Sequence, residues 1–284
     1  MAPQTFYTNH IDIFKGCVAT SKEGLTRERI IQTLVEALEP IEYVHAFWEG
    51  GALAFNRVDE WSDIDAYVAV DDDKVDEAFL VVEKALKSLS PIKQKLNVPQ
   101  TGWPGVYQAF YRLEDASEYL VIDFVVLKLS SPTKFLEPEI HGNNVFYFNK
   151  SNKVSIPRLD KDALIKRMQA RSDRLKVRFG MFNYVTQKEI SRGDYLEALD
   201  TYYNLTLASL VEALRMKHNP VHFDFRMRYI HYELPPEVVE KLEHLYFVRD
   251  EKDLQEKYDV STKWFQEVIS EIERNHIEKW FKTS

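Results

Sequence analysis

The sequence predicts an α/β domain followed by a mostly α-helical one, and three observations carry that expectation. Four short runs rich in β-branched and aromatic residues, Tyr43–Trp48, Asp63–Val70, Val106–Leu113 and Tyr119–Leu127, fall in the first half among segments of helical periodicity. Pro and Asn then dominate Ser130–Pro157, a loop-rich stretch that reads as the domain junction. Beyond it the periodicity is helical throughout. The expected domains are 1–150 and 151–284.

Each element has a local reason. Thr26 caps a helix whose apolar residues Ile30, Ile31, Leu34, Val35 and Leu38 recur at helical spacing and stop before Pro40. The runs 43–48 and 63–70 are strands, and Asp71-Asp72-Asp73 leads into a helix carrying Val75, Phe79, Val82, Leu86 and Leu89. Val106–Leu113 and Tyr119–Leu127 form an antiparallel pair around the polar turn Glu114–Ser117. In the second half, Asp194 with Glu197 makes a capping box for a long helix, Tyr195–Lys217, which Asn219-Pro220 ends. Pro235-Pro236 starts another through Leu245, and Ser261–Phe281 is the last.

Composition narrows the function classes. The 284 residues carry a formal charge of −8, with 45% hydrophobic and 29% charged residues, too apolar for general disorder. No apolar stretch reaches the roughly 20 residues of a membrane span, and Met1–Lys15 lacks the pattern of a secretory signal. A single cysteine, Cys17, cannot form an internal disulfide, so a reducing compartment, the cytoplasm, is the expected location and Cys17 a structural thiol. The acidic surplus disfavours a polynucleotide partner, whose phosphates need Lys and Arg, and suits small cationic substrates or divalent metals. Only 9 glycines occur, so the adjacent pair Gly50-Gly51 marks a place where the backbone requires them.

The window from Phe47 to Val70, FWEGGALAFNRVDEWSDIDAYVAV, carries the chemistry. Residues i and i+2 of a strand project from one face, which sets the carboxylates of Asp63 and Asp65 side by side, about 7 Å apart at Cα. Such a pair either faces water or holds a cation, and a hard ion such as Mg²⁺ is the natural occupant. Gly50-Gly51 follows a strand and precedes the helix-compatible Ala52–Phe55. Glycines there form a tight turn, or let backbone N–H groups approach a phosphate with a helix N-terminus behind them. Eleven residues, Ala52–Ser62, separate the glycines from the acidic pair, enough to leave one strand and enter the next.

Gly-Gly, ten residues, then Ser-Asp-Ile-Asp-Ala resembles the signature of the nucleotidyltransferase (polymerase-beta-like) superfamily, whose smaller bacterial members include aminoglycoside and lincosamide nucleotidyltransferases. The motif covers residues 50–66, and one departure is Glu49, where an apolar residue is usual. The resemblance implies a short mixed sheet, with a helical domain after it that supplies the substrate and nucleotide cleft. It also implies a third carboxylate on a neighbouring strand, for which Asp123, inside an otherwise apolar run, is the candidate. By the same resemblance, Asp63 and Asp65 hold Mg²⁺ on a nucleoside triphosphate, Gly50, Gly51 and Ser62 seat its phosphates, and Asp123 binds a second ion or accepts a proton. The implied reaction moves AMP from ATP onto a hydroxyl of a small, aminoglycoside-like and cationic acceptor, releasing pyrophosphate. The alternatives are transfer to tRNA or protein, and a non-catalytic regulatory or toxin–antitoxin protein of the same fold.

In the second half, Arg167, Arg171, Arg174 and Arg178 form one helical stripe beside Leu164, Met168, Leu175, Phe179 and Phe182. That placement suits either a cleft rim facing triphosphate or arginines that reach water from a core helix. The residues 59–76 hold eight Asp/Glu against Lys74 alone, and 161–178 seven Lys/Arg against two Asp. His218 and His222 have zinc-helix spacing, but Pro220 breaks the helix between them. His45 reads as a satisfied core histidine, and Tyr202-Tyr203 and Phe179–Tyr184 as core packing.

Overall fold

A computed structural model of the chain describes residues 24–99 and 101–272. Cys17, the amino-terminal segment Met1–Lys15 and the last helix beyond Ile272 lie outside the described residues. The chain divides into two units between Pro157 and Arg158. The first is α/β and the second helical, and among the described residues no helix is long and apolar enough to cross a membrane.

In the first unit the elements run α1 (Arg27–Leu38), β1 (Val44–Glu49), α2 (Gly51–Ala54), β2 (Ile64–Val70), α3 (Val75–Leu89), β3 (Ile92–Val98), β4 (Val106–Leu113), β5 (Ile122–Lys128), α4 (Pro138–His141) and β6 (Val145–Asn149). Thr26 caps α1 by accepting the Arg29 N–H at 3.3 Å. The six strands form one mixed sheet in the order β3-β4-β5-β2-β1-β6. Only the central pair β2/β5 is parallel; every other neighbour is antiparallel.

Strand alternation sorts the side chains onto two faces. Ile64, Ala66, Val68, Val70, Ile122, Phe124 and Val126 pack beneath α1 and α3, against Ile30, Leu34, Leu38, Ala78, Val82 and Leu86. On the other face Ala46, Trp48, Ala69, Val106, Val125 and Leu127 pack with Leu136 and Val154. Val154 thus ties residues after 150 to the sheet. His45 is buried, with Nε2 on Asp71 at 2.6 Å and Nδ1 facing Lys153 at 3.2 Å.

Two strands escape the sequence reading. β6 lies inside the stretch read as loop, where Val145–Phe148 supplies a short β-forming run hidden by its Pro- and Asn-rich surroundings. β3 is an edge strand whose residues 93–97 are exposed, so it shows no buried alternation; its lysines suit an edge that must not pair further.

The helical unit comprises α5 (Lys161–Phe182), α6 (Tyr184–Arg192), α7 (Tyr195–Thr201), a π-helical segment Tyr202–Leu207, α8 (Ala208–His218), α9 (Ile230–Glu233), α10 (Pro236–Tyr246) and α11 (Glu251–Glu271). The expected single helix from Tyr195 is therefore interrupted, and the Asp194 side chain makes no capping bond. The last helix begins ten residues before Ser261, because Asp250 caps it by accepting the Asp253 N–H at 2.9 Å. Phe182 and Tyr184, expected in the core, are exposed at 48% and 59%.

Among the described residues of this unit, buried charged side chains have charged partners. Arg215, fully buried, donates to Glu233 at 2.8 Å, and His222 Nδ1 lies 2.9 Å from the same carboxylate. On α11, Lys257 donates to Asp253 at 2.8 Å. That bond, with the Arg249 backbone N–H, holds Asp253 well below the usual carboxylate range. A depressed folded-state pKa contributes stability above the unfolded carboxylate value, about 3.9, and loses it as pH falls further. Urea unfolding measured between neutral pH and about pH 2.5 should therefore show wild type losing more stability below about pH 4 than Asp253→Asn does.

Candidate active site

The parallel pairing of β2 with β5 builds the site. Asp65 and Asp123 are register partners across the two strands, both on the face away from α1 and α3. Asp63 stands just before β2 and is exposed. The Asp123 carboxylate is half-buried and takes two bonds from the amide of Gln108 on β4, 2.7 Å to Oδ1 and 2.9 Å to Oδ2. Gln108 is a site residue that the sequence reading missed; its signal was a polar side chain in an otherwise largely apolar stretch, Val106–Tyr111.

Both glycines are required by close approach. The Gly50 N–H donates to the main-chain carbonyl of Asp65 at 2.9 Å, and a Cβ on Gly50 would stand 2.8 Å from Asn144 Oδ1 and 3.0 Å from the Tyr67 ring. Gly51 has φ +54°, and a Cβ there would lie 1.5 Å from Asp65 Oδ2. The glycine loop is thus packed directly on the carboxylate. The segment after it, α2, is a single turn of four residues and adds no helix-dipole site. Ser62 closes the other end of the loop: its hydroxyl donates to Asp59 Oδ1 at 2.8 Å and accepts the Asp59 N–H at 2.9 Å.

Glu49, the departure from the superfamily pattern, is 1% exposed and fully engaged. One oxygen receives the Arg27 guanidinium, and the other the Tyr147 hydroxyl at 2.6 Å. A second nitrogen of Arg27 donates to the main-chain carbonyl of Asp63. Burial pushes the guanidinium below its usual pKa, opposed by Tyr147 and by the charges of Asp65 and Asp63. Burial also pushes the Tyr147 hydroxyl up to about 12, so it remains a donor. Arg27 is the second residue missed: a Glu at a strand end calls for a cation, but nothing local names a partner 22 positions earlier.

The acidic window 59–76 separates into two groups. Asp59, Glu60, Asp63 and Asp65 lie at the carboxylate end of β2, whereas Asp71, Asp72, Asp73 and Asp76 lie at the opposite end, about 20 Å of strand away. There Asp71 serves His45, and Asp72 accepts the Ser130 N–H at 3.0 Å. Only half of the surplus therefore belongs to the site. Among the described residues, the three-acid group with oxygens within 4.8 Å of one another is Glu189, Asp194 and Glu197, in the helical unit. There Glu189 is paired with Lys188 and Arg192. Asp63, Asp65 and Asp123 do not converge that closely.

The basic stripe on α5 is only partly available for anions. Arg171 is bidentate on Glu212, with Nη2 at 2.7 Å, and Arg167 lies 5.5 Å over the Phe223 ring. Arg171 and Arg178 line a cavity of about 660 Å³ within the helical unit, together with Tyr203, Phe223, Arg226 and Tyr246.

No family model and no curated protein matches the chain. Among solved structures it is similar to an aminoglycoside 6-adenyltransferase from Bacillus subtilis, with 13% identity over 91% of this chain and 97% of that one and a TM-score of 0.30. It is also similar to a spectinomycin adenyltransferase from Enterococcus faecialis, solved with ATP and spectinomycin, with 11% identity over 89% of this chain and 100% of that one and a TM-score of 0.34.

Proposed function

We propose that the chain is a metal-dependent nucleotidyltransferase that moves a nucleoside monophosphate, AMP from ATP, onto a hydroxyl of a small molecule. One observation carries the reading: Asp65 and Asp123 are neighbours in the parallel register of β2 and β5, with the glycine loop packed on Asp65. Aligned carboxylates repel unless a cation relieves them. The donor set is all oxygen, which fits Mg²⁺, with Asp63 and Asp65 as the residues that would hold it. When bound, Mg²⁺ supplies neutralisation of the charge on the triphosphate oxygens.

The chain's own groups do the rest. The glycines let the loop backbone pack against Asp65, where a side chain at 51 would push its carboxylate aside, and glycine backbone N–H groups are suited to approach a phosphate closely. Gln108 orients the Asp123 carboxylate, which would serve as the proton acceptor. The acceptor hydroxyl gives its proton to Asp123 while its oxygen bonds to the α-phosphorus. The bond from that phosphorus to the β-phosphate oxygen breaks, and pyrophosphate carries away the electron pair. Exposed Asp59, Glu60 and Asp63 at this end suit a cationic, aminoglycoside-like acceptor.

ATP labelled on the α-phosphate, Mg²⁺ and panels of aminoglycosides, tRNA and protein provide the test. Wild type should transfer label to a small molecule, and Asp63→Asn and Asp65→Asn should each lose at least about 10²-fold. Label on tRNA or protein would reassign the acceptor, and absence of both Mg²⁺-dependent nucleotide binding and transfer would leave a non-catalytic protein. Gly51→Ala has a separate expectation. It should keep the fold, at a backbone cost of about 1–2 kcal/mol, yet lose about 10²-fold in transfer because its methyl displaces the Asp65 carboxylate; circular dichroism and the same assay read the two effects.

A further inference from the structure

The loop from Gly50 to Ser62 leaves β1 and returns to β2, so the proposed acting groups lie at its two ends. One side chain spans both. The guanidinium of Arg27, the first residue of α1, donates to the Glu49 carboxylate just before the loop and to the Asp63 carbonyl just after it. Tyr147, from β6, completes the coordination of Glu49, and the Gly50 N–H on the Asp65 carbonyl adds a third tie between the ends.

Stability alone is a weak reason for this arrangement. Glu49 is 1% exposed and the Arg27 side chain 13%, and the desolvation of two such charges commonly equals or exceeds their attraction. An apolar residue at 49 would bury the end of β1 without that cost. What a planar guanidinium adds is geometry: two parallel-facing donors hold a carboxylate and a carbonyl at fixed separation, which a lysine ammonium does not. Arg27 also takes the carbonyl of Asp63, not its carboxylate, and so fixes that residue's backbone while directing no bond at the oxygens proposed to hold the cation.

We propose that Arg27 is a positioning residue that clamps the two ends of the Gly50–Ser62 loop and thereby sets Asp63 and the glycines relative to Asp65. Its role in catalysis rests on the nucleotidyl-transfer reading; the clamp itself does not, because it can be measured without substrate. Since Arg27→Ala leaves Glu49 buried with one donor fewer and can unfold the chain, the informative variant is Arg27→Met/Glu49→Leu, which replaces the pair with apolar groups.

The full-length protein is examined by hydrogen exchange of the loop amides, by melting, and by transfer of α-labelled ATP with separate kcat and KM. The double variant should melt close to wild type, exchange its loop amides about tenfold faster, and lose about 10²-fold in kcat. Arg27→Lys should fall between. Guanidinium ion added at millimolar concentration should restore part of the activity of Arg27→Ala and none of that of the double variant. Loop exchange at the wild-type rate in the double variant would overturn the clamp. If wild type itself transfers nothing, the functional reading fails and the exchange rates still decide the inference.

Discussion

Parallel pairing of β2 with β5 is the constraint from which the rest of the first unit follows. Parallel neighbours cannot be joined by a tight turn, so the chain between them must cross over. Here it does so through α3 and then lays down β3 and β4 before entering β5 beside β2. Both strands consequently start at the same end of the sheet, and carboxylates near their starts come together. The apolar remainder of each strand, Ala66, Val68, Ala69 and Val70 in β2 and Phe124 to Leu127 in β5, is buried and fixes the register. A one-residue slip would send Asp65 or Asp123 into the core under α1 and α3.

Close placement of like charges is costly, and the structure shows how the cost is distributed. Gln108 supplies two hydrogen bonds to Asp123. Around Asp65 the loop is held mainly through the main chain: Gly50 binds the Asp65 carbonyl and Arg27 the Asp63 carbonyl. Using carbonyls for position directs those bonds away from the carboxylate oxygens. The price of that economy is conformational, since Gly51 must adopt φ +54° with no room for a side chain.

The helical unit handles charge differently. Arg215, Glu233 and His222 form a buried group whose guanidinium also binds the carbonyls of Arg226 and Arg228, fixing the segment that contributes Phe223 and Arg226 to the cavity. Burial raises the cost of the Glu233 charge, yet its bonds to His222 and Arg215 hold the carboxylate below the usual range. Arg171, spent on Glu212, belongs to the same scheme of internally matched charge. The π-helical segment places Tyr203 at the cavity, stacked on Tyr246 with ring centroids 5.8 Å apart.

The sequence by itself determined the elements whose cause is local: α1 with its Thr26 cap, α3, the strand runs that became β1, β2, β4 and β5, and the α/β-then-helical order. It also located the Gly-Gly and Asp-x-Asp residues, because period-2 projection and glycine backbone freedom are properties of neighbours in the chain. Elements without a local signature stayed hidden, namely the exposed edge strand β3 and the β6 run masked by Pro and Asn. Tertiary structure alone decided the sheet order, the Asp65–Asp123 register, Gln108 on Asp123, and the Arg27–Glu49–Tyr147 group, whose last two members are 98 residues apart. It also divided the acidic window between opposite ends of β2. Those features depend on which strands pair and which charges are buried together, and such energies exist only once distant segments meet.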